Sequence, residues 1–185
     1  MQDVDYLFSD NEFRHWLVTD TLRVPDITQT AYKYEPFPEL FKLFSNSPFS
    51  HLETLSPVVF NFTGTREMLE KWQSDKGIRS SSVLFSFKRC VSPKHVLSHL
   101  HALLTVLING NPVFFRFYSS AFWEEHNNNL LPQDIECLLG PCDLLSWVES
   151  NREIRSISTT KSSQERLSLS MPYSLLSPCL VKQIR

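Results

Sequence analysis

The sequence predicts an α/β fold: a central mixed or parallel sheet flanked by helices, with a small C-terminal extension. Three observations point there. Short β-branched and aromatic runs have strand character, namely LSPVVFNF at 55–62, VLFSF at 83–87 and PVFFRFYSS at 112–120. Between the last two, Val96, Leu97, Leu100, Leu103, Leu104 and Leu107 fall on one stripe at helical spacing. Strand, long helix and strand in series imply a crossover between parallel strands. A chain of 185 residues holds one domain, with or without a small satellite lobe. At this length folding buries roughly 70% of the unfolded surface, so no disulfide or metal is required for stability.

The elements follow in order. Val4, Tyr6 and Phe8 alternate and suggest a first strand. Residues 11–18 (NEFRHWLV) suggest a short helix with Phe13, Trp16 and Leu17 inward. Phe37, Leu40, Phe41 and Phe44 recur at helical spacing, with prolines at the start and Ser-Asn-Ser-Pro at the end. The strand at 55–62 has Pro57 at its entry, where a missing donor does little harm. Residues 63–75 read as a helix with Met68, Leu69 and Trp72 on its apolar face and Gly77 as its stop. After the strand at 83–87, Ser92 caps a helix that Pro93 opens and that runs to about Ile108. Asn109-Gly110-Asn111 ends it, and Pro112 opens the Phe-rich strand. Then come a short amphipathic helix (AFWEEH, 121–126), a Leu-Pro break, a second short helix and a Gly140-Pro141 stop. Trp147 lies in a further strand. Residues 156–170 are polar and serine-rich, a mobile segment or weak edge strands with a loop; MPYSLLSPCLVKQIR recovers hydrophobicity and docks back.

Composition excludes several functions. Four glycines leave little material for phosphate cradles or tight catalytic elbows, and a net charge of −2 gives no general attraction to nucleic acid or acidic lipid. Cys90, Cys137, Cys142 and Cys179 form no metal-type pair and are too sparse for a secreted disulfide scaffold. The acidic start lacks the features of a signal peptide, and no apolar run approaches a membrane span of ~18 residues. Free thiols in a cytoplasmic protein are the expectation.

Candidate chemistry is thin. His95 and His99 share one flank of the long helix, but His101 lies well round from them and no HExxH glutamate intervenes; a solvent-facing flank is expected rather than a metal site. Cys90 precedes His95 and loosely suggests a Cys–His pair, but activating a thiolate requires a spatial contact that spacing does not establish. No serine sits in a GxSxG context. The pairs Glu124/Glu125 and Asp134/Glu136 read as solvated faces. No cofactor and no enzymatic activity are expected. Arg116, enclosed by phenylalanines, has two readings. It ties the sheet to an internal carboxylate or to helix C-terminal carbonyls, because an unpaired buried guanidinium is costly. Alternatively it lines a partner cleft with Tyr118, Phe122 and Trp123, residue types enriched at interface hot spots.

Over residues 4–145 the chain resembles the type VI secretion effector chaperones. The motifs are the helix at 95–108, FFRFY at 114–118, AFWEEH at 121–126, LLPQDIECLLGP at 130–141 and Trp147 in LLSWVES. Where that family often has Asp-Pro-Arg after the Phe-Arg-Phe-Tyr motif, this chain has Ser119-Ser120-Ala121, so helix capping passes to a serine. The resemblance implies a non-enzymatic bacterial cytoplasmic adaptor. It would bind the N-terminal region of a cognate secreted effector, keep it soluble and help load it onto the VgrG spike protein. It divides the chain into a chaperone-like domain at 1–145 and an extension at 146–185, a partly flexible element suited to client selectivity. The rivals are an immunity protein that blocks a toxin domain and a small Cys/His hydrolase.

Overall fold

The structure is a computed structural model that describes residue 8, residues 11–159 and residues 172–181. Its centre is a six-stranded sheet in the order β2-β3-β1-β4-β7-β8. The strands are β1 (Phe13–Thr19), β2 (Leu40–Lys42), β3 (Val58–Asn61), β4 (Ser82–Lys88), β7 (Leu144–Val148) and β8 (Ile154–Ser158). Every neighbouring pair is antiparallel. The α/β class holds, but the central sheet is antiparallel rather than mixed or parallel. A second sheet of three short strands is ordered β6-β5-β9, from β5 (Thr105–Ile108), β6 (Asn111–Phe114) and β9 (Ser174–Leu175).

The crossover inference fails at one turn. The helix after β4 is α4 (Pro93–Leu103), and residues 105–108 form β5 instead of continuing it. Thr105-Val106-Leu107-Ile108 is rich in β-branched side chains, which favour a pleated surface. Asn109 and Gly110 have φ of 51° and 75°, the left-handed pair that a tight hairpin turn needs, and β5 folds back antiparallel on β6. The chain from β4 therefore leaves for the second sheet, and no parallel pair arises in the first.

Residues 13–19 are strand β1, not a helix, and lie at the middle of the sheet. Trp16 and Val18 pack on one side while Leu17 packs on the other. A strand covered on both faces loses polar alternation, so its apolar run imitates a helix. The helix expected around Phe37–Phe44 is likewise absent. Phe37 has φ of 65° and is exposed, and residues 40–42 pair with β3. Phe41 instead stacks edge-on against Trp16 at 5.0 Å. Of the first expected strand only Phe8 is described; Val4 and Tyr6 lie outside the described residues.

Two cores sandwich the sheet. On one face Leu17, Phe60, Phe62 and Leu84 meet α1 (Ile27–Tyr34), α2 (Arg66–Ser74) and α3 (Lys76–Ser80), through Ile27, Ala31, Met68, Trp72 and Ile78. Thr65 caps α2 by accepting from the Met68 amide at 3.3 Å. Asp75 caps α3, so Gly77 lies inside that helix rather than stopping the previous one. On the other face, Val59, Phe85, Phe87 and Leu145 meet α4, α5 (Ser120–His126), α6 (Pro132–Leu139) and the small sheet. Leu103, Phe117, Trp123, Leu138 and Trp147 fill that layer.

The division expected at 145 falls inside β7, and β8 continues the same sheet as its edge. The serine-rich stretch thus begins as part of β8; its residues 160–170 lie outside the described residues. Beyond it the chain does dock back: β9 runs parallel to β5, followed by α7 (Pro178–Val181).

Candidate partner-binding face

The segment after β6 is positioned by its phenylalanines. The Phe115 amide donates to the Leu104 carbonyl at 3.0 Å, and Phe115 and Phe117 both enter the core. The Phe117 carbonyl accepts from Trp123 Nε1 at 2.6 Å. With its neighbours on either side held inward, Arg116 points out. Its guanidinium reaches Asp20, the residue that follows β1, and pairs with Asp20 Oδ2. Asp20 is buried, and its Oδ1 accepts from the Leu22 amide at 3.0 Å. Arg23 Nε stands 4.0 Å from the same Oδ2. The Arg116 guanidinium carbon lies 5.8 Å from the centroid of the Tyr118 ring.

Of the two readings of Arg116, the internal carboxylate tie is what the structure contains. The tie is one-sided: the carboxylate is enclosed while the arginine side chain remains 44% exposed. The other three residues expected to line a cleft are spent on the core. Tyr118, Phe122 and Trp123 are all buried, with Trp123 stacked on Trp147 at 6.1 Å. Burial pushes the Tyr118 hydroxyl up to about 12 against the opposing pull of Arg116. The aromatic signal was therefore mostly packing, and Arg116 alone of the four is accessible.

The surroundings of Arg116 come from segments distant in sequence, which local patterns do not connect. Thr21 donates through Oγ1 to the Ser56 carbonyl at 2.9 Å, which seats the Asp20–Arg23 turn beside the 3₁₀ turn Ser50–Leu55. The Leu52 amide donates to the Phe49 carbonyl, and the Phe49 ring meets Phe114 edge-on at 4.9 Å. Three segments distant in sequence thus converge. They leave Leu22, Leu52, Leu55 and Phe114 exposed at 60%, 37%, 44% and 42%. Individually each is a scattered loop residue, and only tertiary structure gathers them.

Three of the other candidates, His99, Asp134 and Glu124, are structural ties. His99 is buried rather than solvent-facing: its Nε2–H donates to the Leu138 carbonyl at 3.0 Å, leaving Nδ1 to accept from the Tyr173 hydroxyl at 2.9 Å. His95 is exposed, as is Cys90. Asp134 is not on a solvated face. It is buried and accepts from the amides of Leu176 and Ser177 and from the Ser177 hydroxyl, fastening the C-terminal segment. Glu124 accepts from Ser150 Oγ at 2.6 Å, tying α5 to the turn after β7. Among the described residues no three His, Cys, Asp or Glu side chains group as metal ligands, and no helix is long and apolar enough to cross a membrane.

No curated protein and no solved structure matches this chain significantly. One family model does, over residues 15–135, which runs from within β1 to within α6 and includes the Arg116 segment and its Asp20 partner. The chain therefore belongs to the family described as Domain of unknown function (DUF4123).

Proposed function

We propose that this protein is a bacterial cytoplasmic adaptor that binds the N-terminal region of a cognate type VI secretion effector and helps load it onto the VgrG spike. The observation that carries the reading is the family match over 15–135, which spans the helix, FFRFY and AFWEEH motifs on which the chaperone resemblance rests. The exposed apolar side chains around Arg116 support it, because a chaperone works by covering a client's surface rather than by transforming it. Non-enzymatic binding is the activity, and no cofactor is invoked.

Co-expression with the protein encoded next to it, followed by affinity capture and sizing, tests this. The reading requires a stable complex through the neighbour's N-terminal region, with the neighbour insoluble when expressed alone. A complex formed only with the toxin's catalytic domain replaces the adaptor by an immunity protein. No complex at all rejects the adaptor.

A further inference from the structure

We infer that the face built around Arg116 is the client-docking surface, and that its occupant is a polypeptide segment carrying a carboxylate flanked by large apolar side chains. The inference rests on the adaptor reading and gives it a location and a partner chemistry. Four large apolar side chains from three separate segments, Leu22, Leu52, Leu55 and Phe114, are exposed; Leu22 lies just past the end of β1 and Leu55 just before β3, where Thr19 pairs with Val58. Hydrogen bonds and ring contacts join those segments, Thr21 to Ser56 and Phe49 to Phe114, so the segments that carry the four adjoin one another.

Charge selects the occupant. Arg116 and Arg23 both address Asp20, whose single negative charge leaves one positive charge over. The nearby Lys42 and Glu53 form an exposed pair that adds nothing net. Asp20 holds Arg116 through one nitrogen and the Tyr118 hydroxyl hydrogen-bonds the same side chain, yet that side chain is still 44% exposed, so the exposed part of its five-donor fork stays open to a second carboxylate. The Asp20 tie also fixes the guanidinium before binding, which lowers the ordering cost of the new contact. A basic group on adjoining segments that expose leucine and phenylalanine fits an acidic side chain between apolar anchors, whereas nucleic acid phosphate would leave those apolar side chains uncovered.

The probe is a recombinant fragment carrying the N-terminal region of the neighbouring effector, titrated against the full chain by calorimetry at two salt concentrations. Leu22→Ser with Leu55→Ser should weaken binding at least tenfold, and Arg116→Gln should weaken it and flatten its salt dependence. Should Arg116→Gln unfold, Arg116→Lys retains the charge and loses the fork, and should still weaken binding. Tyr32→Ser, at an exposed position on α1 in the opposite layer, should change nothing. Replacing the fragment's acidic residues with amides should reproduce the Arg116→Gln loss. Folded face variants that bind like wild type overturn this surface while the adaptor reading stands. Wild-type chain that fails to bind the fragment overturns both. Self-association broken by the leucine substitutions, with fragment binding intact, assigns the face to a second copy instead.

Discussion

Removing the arginine side chain in Arg116→Ala leaves the buried Asp20 carboxylate without its main partner. Breaking a fully buried ion pair by deleting one partner costs about 3–5 kcal/mol, because the survivor is left uncompensated. A fully exposed pair contributes about 0.2–1 kcal/mol. Here the carboxylate side chain is 4% exposed and the guanidinium 44%, so the pair lies between these limits. Asp20 also keeps the Leu22 amide, and Arg23 at 4.0 Å can swing closer. The expected cost is about 2 kcal/mol, or a fall of about 4–8 °C in Tm for a chain of this size. Asp20→Asn retains the Leu22 contact and removes the charge, so Arg116→Ala made in that background should cost far less. Urea unfolding of wild type, both single variants and the double variant gives the coupling directly, and about 1–2 kcal/mol is expected. Coupling below about 0.5 kcal/mol would show that Asp20 does not depend on Arg116, and would refute the reasoning.

The remaining predictions concern other buried groups. Burial raises the Glu35 carboxyl above its ordinary value, with the Thr63 hydrogen bonds opposing, so the folded state holds its proton more tightly than the unfolded one. Its stabilising contribution is complete below about pH 4.5 and is lost as pH rises through the folded value. Glu35→Gln should therefore flatten this part of the stability–pH profile, and an unchanged profile would contradict the assignment. Tyr118 and Tyr173 are both pushed up to about 12 by burial, so stability should fall as pH rises above 10. Tyr118→Phe should reduce that fall, which unfolding midpoints between pH 9 and 12 would register. Asp134→Ala orphans the Leu176 and Ser177 amides; a loss of about 3 kcal/mol, or local release of residues 172–181 seen as faster hydrogen exchange, is expected. Gly140 has φ of 52°, and a Cβ there would strike the His99 ring, so Gly140→Ala should destabilise by more than about 2 kcal/mol in the same urea assay.

Legibility in the sequence followed how local each feature is. The strands at 58–61 and 82–88, the capped helix at 66–74, and the short helices at 120–126 and 132–139 rest on local signals and stood close to where the pattern placed them. Strand β1 was hidden because both its faces are covered, which erases the alternation that marks a half-buried strand. The Asn109-Gly110 turn did carry a signal: read as a hairpin rather than a helix stop, it would have recovered β5 and removed the parallel crossover. At the candidate face, the demand that Arg116 find a partner was readable from its phenylalanine neighbours, but Asp20 lies 96 residues away and nothing local names it. Tyr118, Phe122 and Trp123 show the converse. The residue types that mark hot spots are also those that fill cores, and only burial separates the two uses.

Hydrogen exchange on the full chain, free and saturated with the N-terminal region of the neighbouring effector, tests the docking face and the adaptor function together. Docking at the Arg116 face should give new protection concentrated at residues 20–23, 50–56 and 114–118, with α1 and α2 unchanged. Protection confined to other elements would contradict the docking face, and no protection anywhere, with the fragment in excess, would contradict the adaptor function itself.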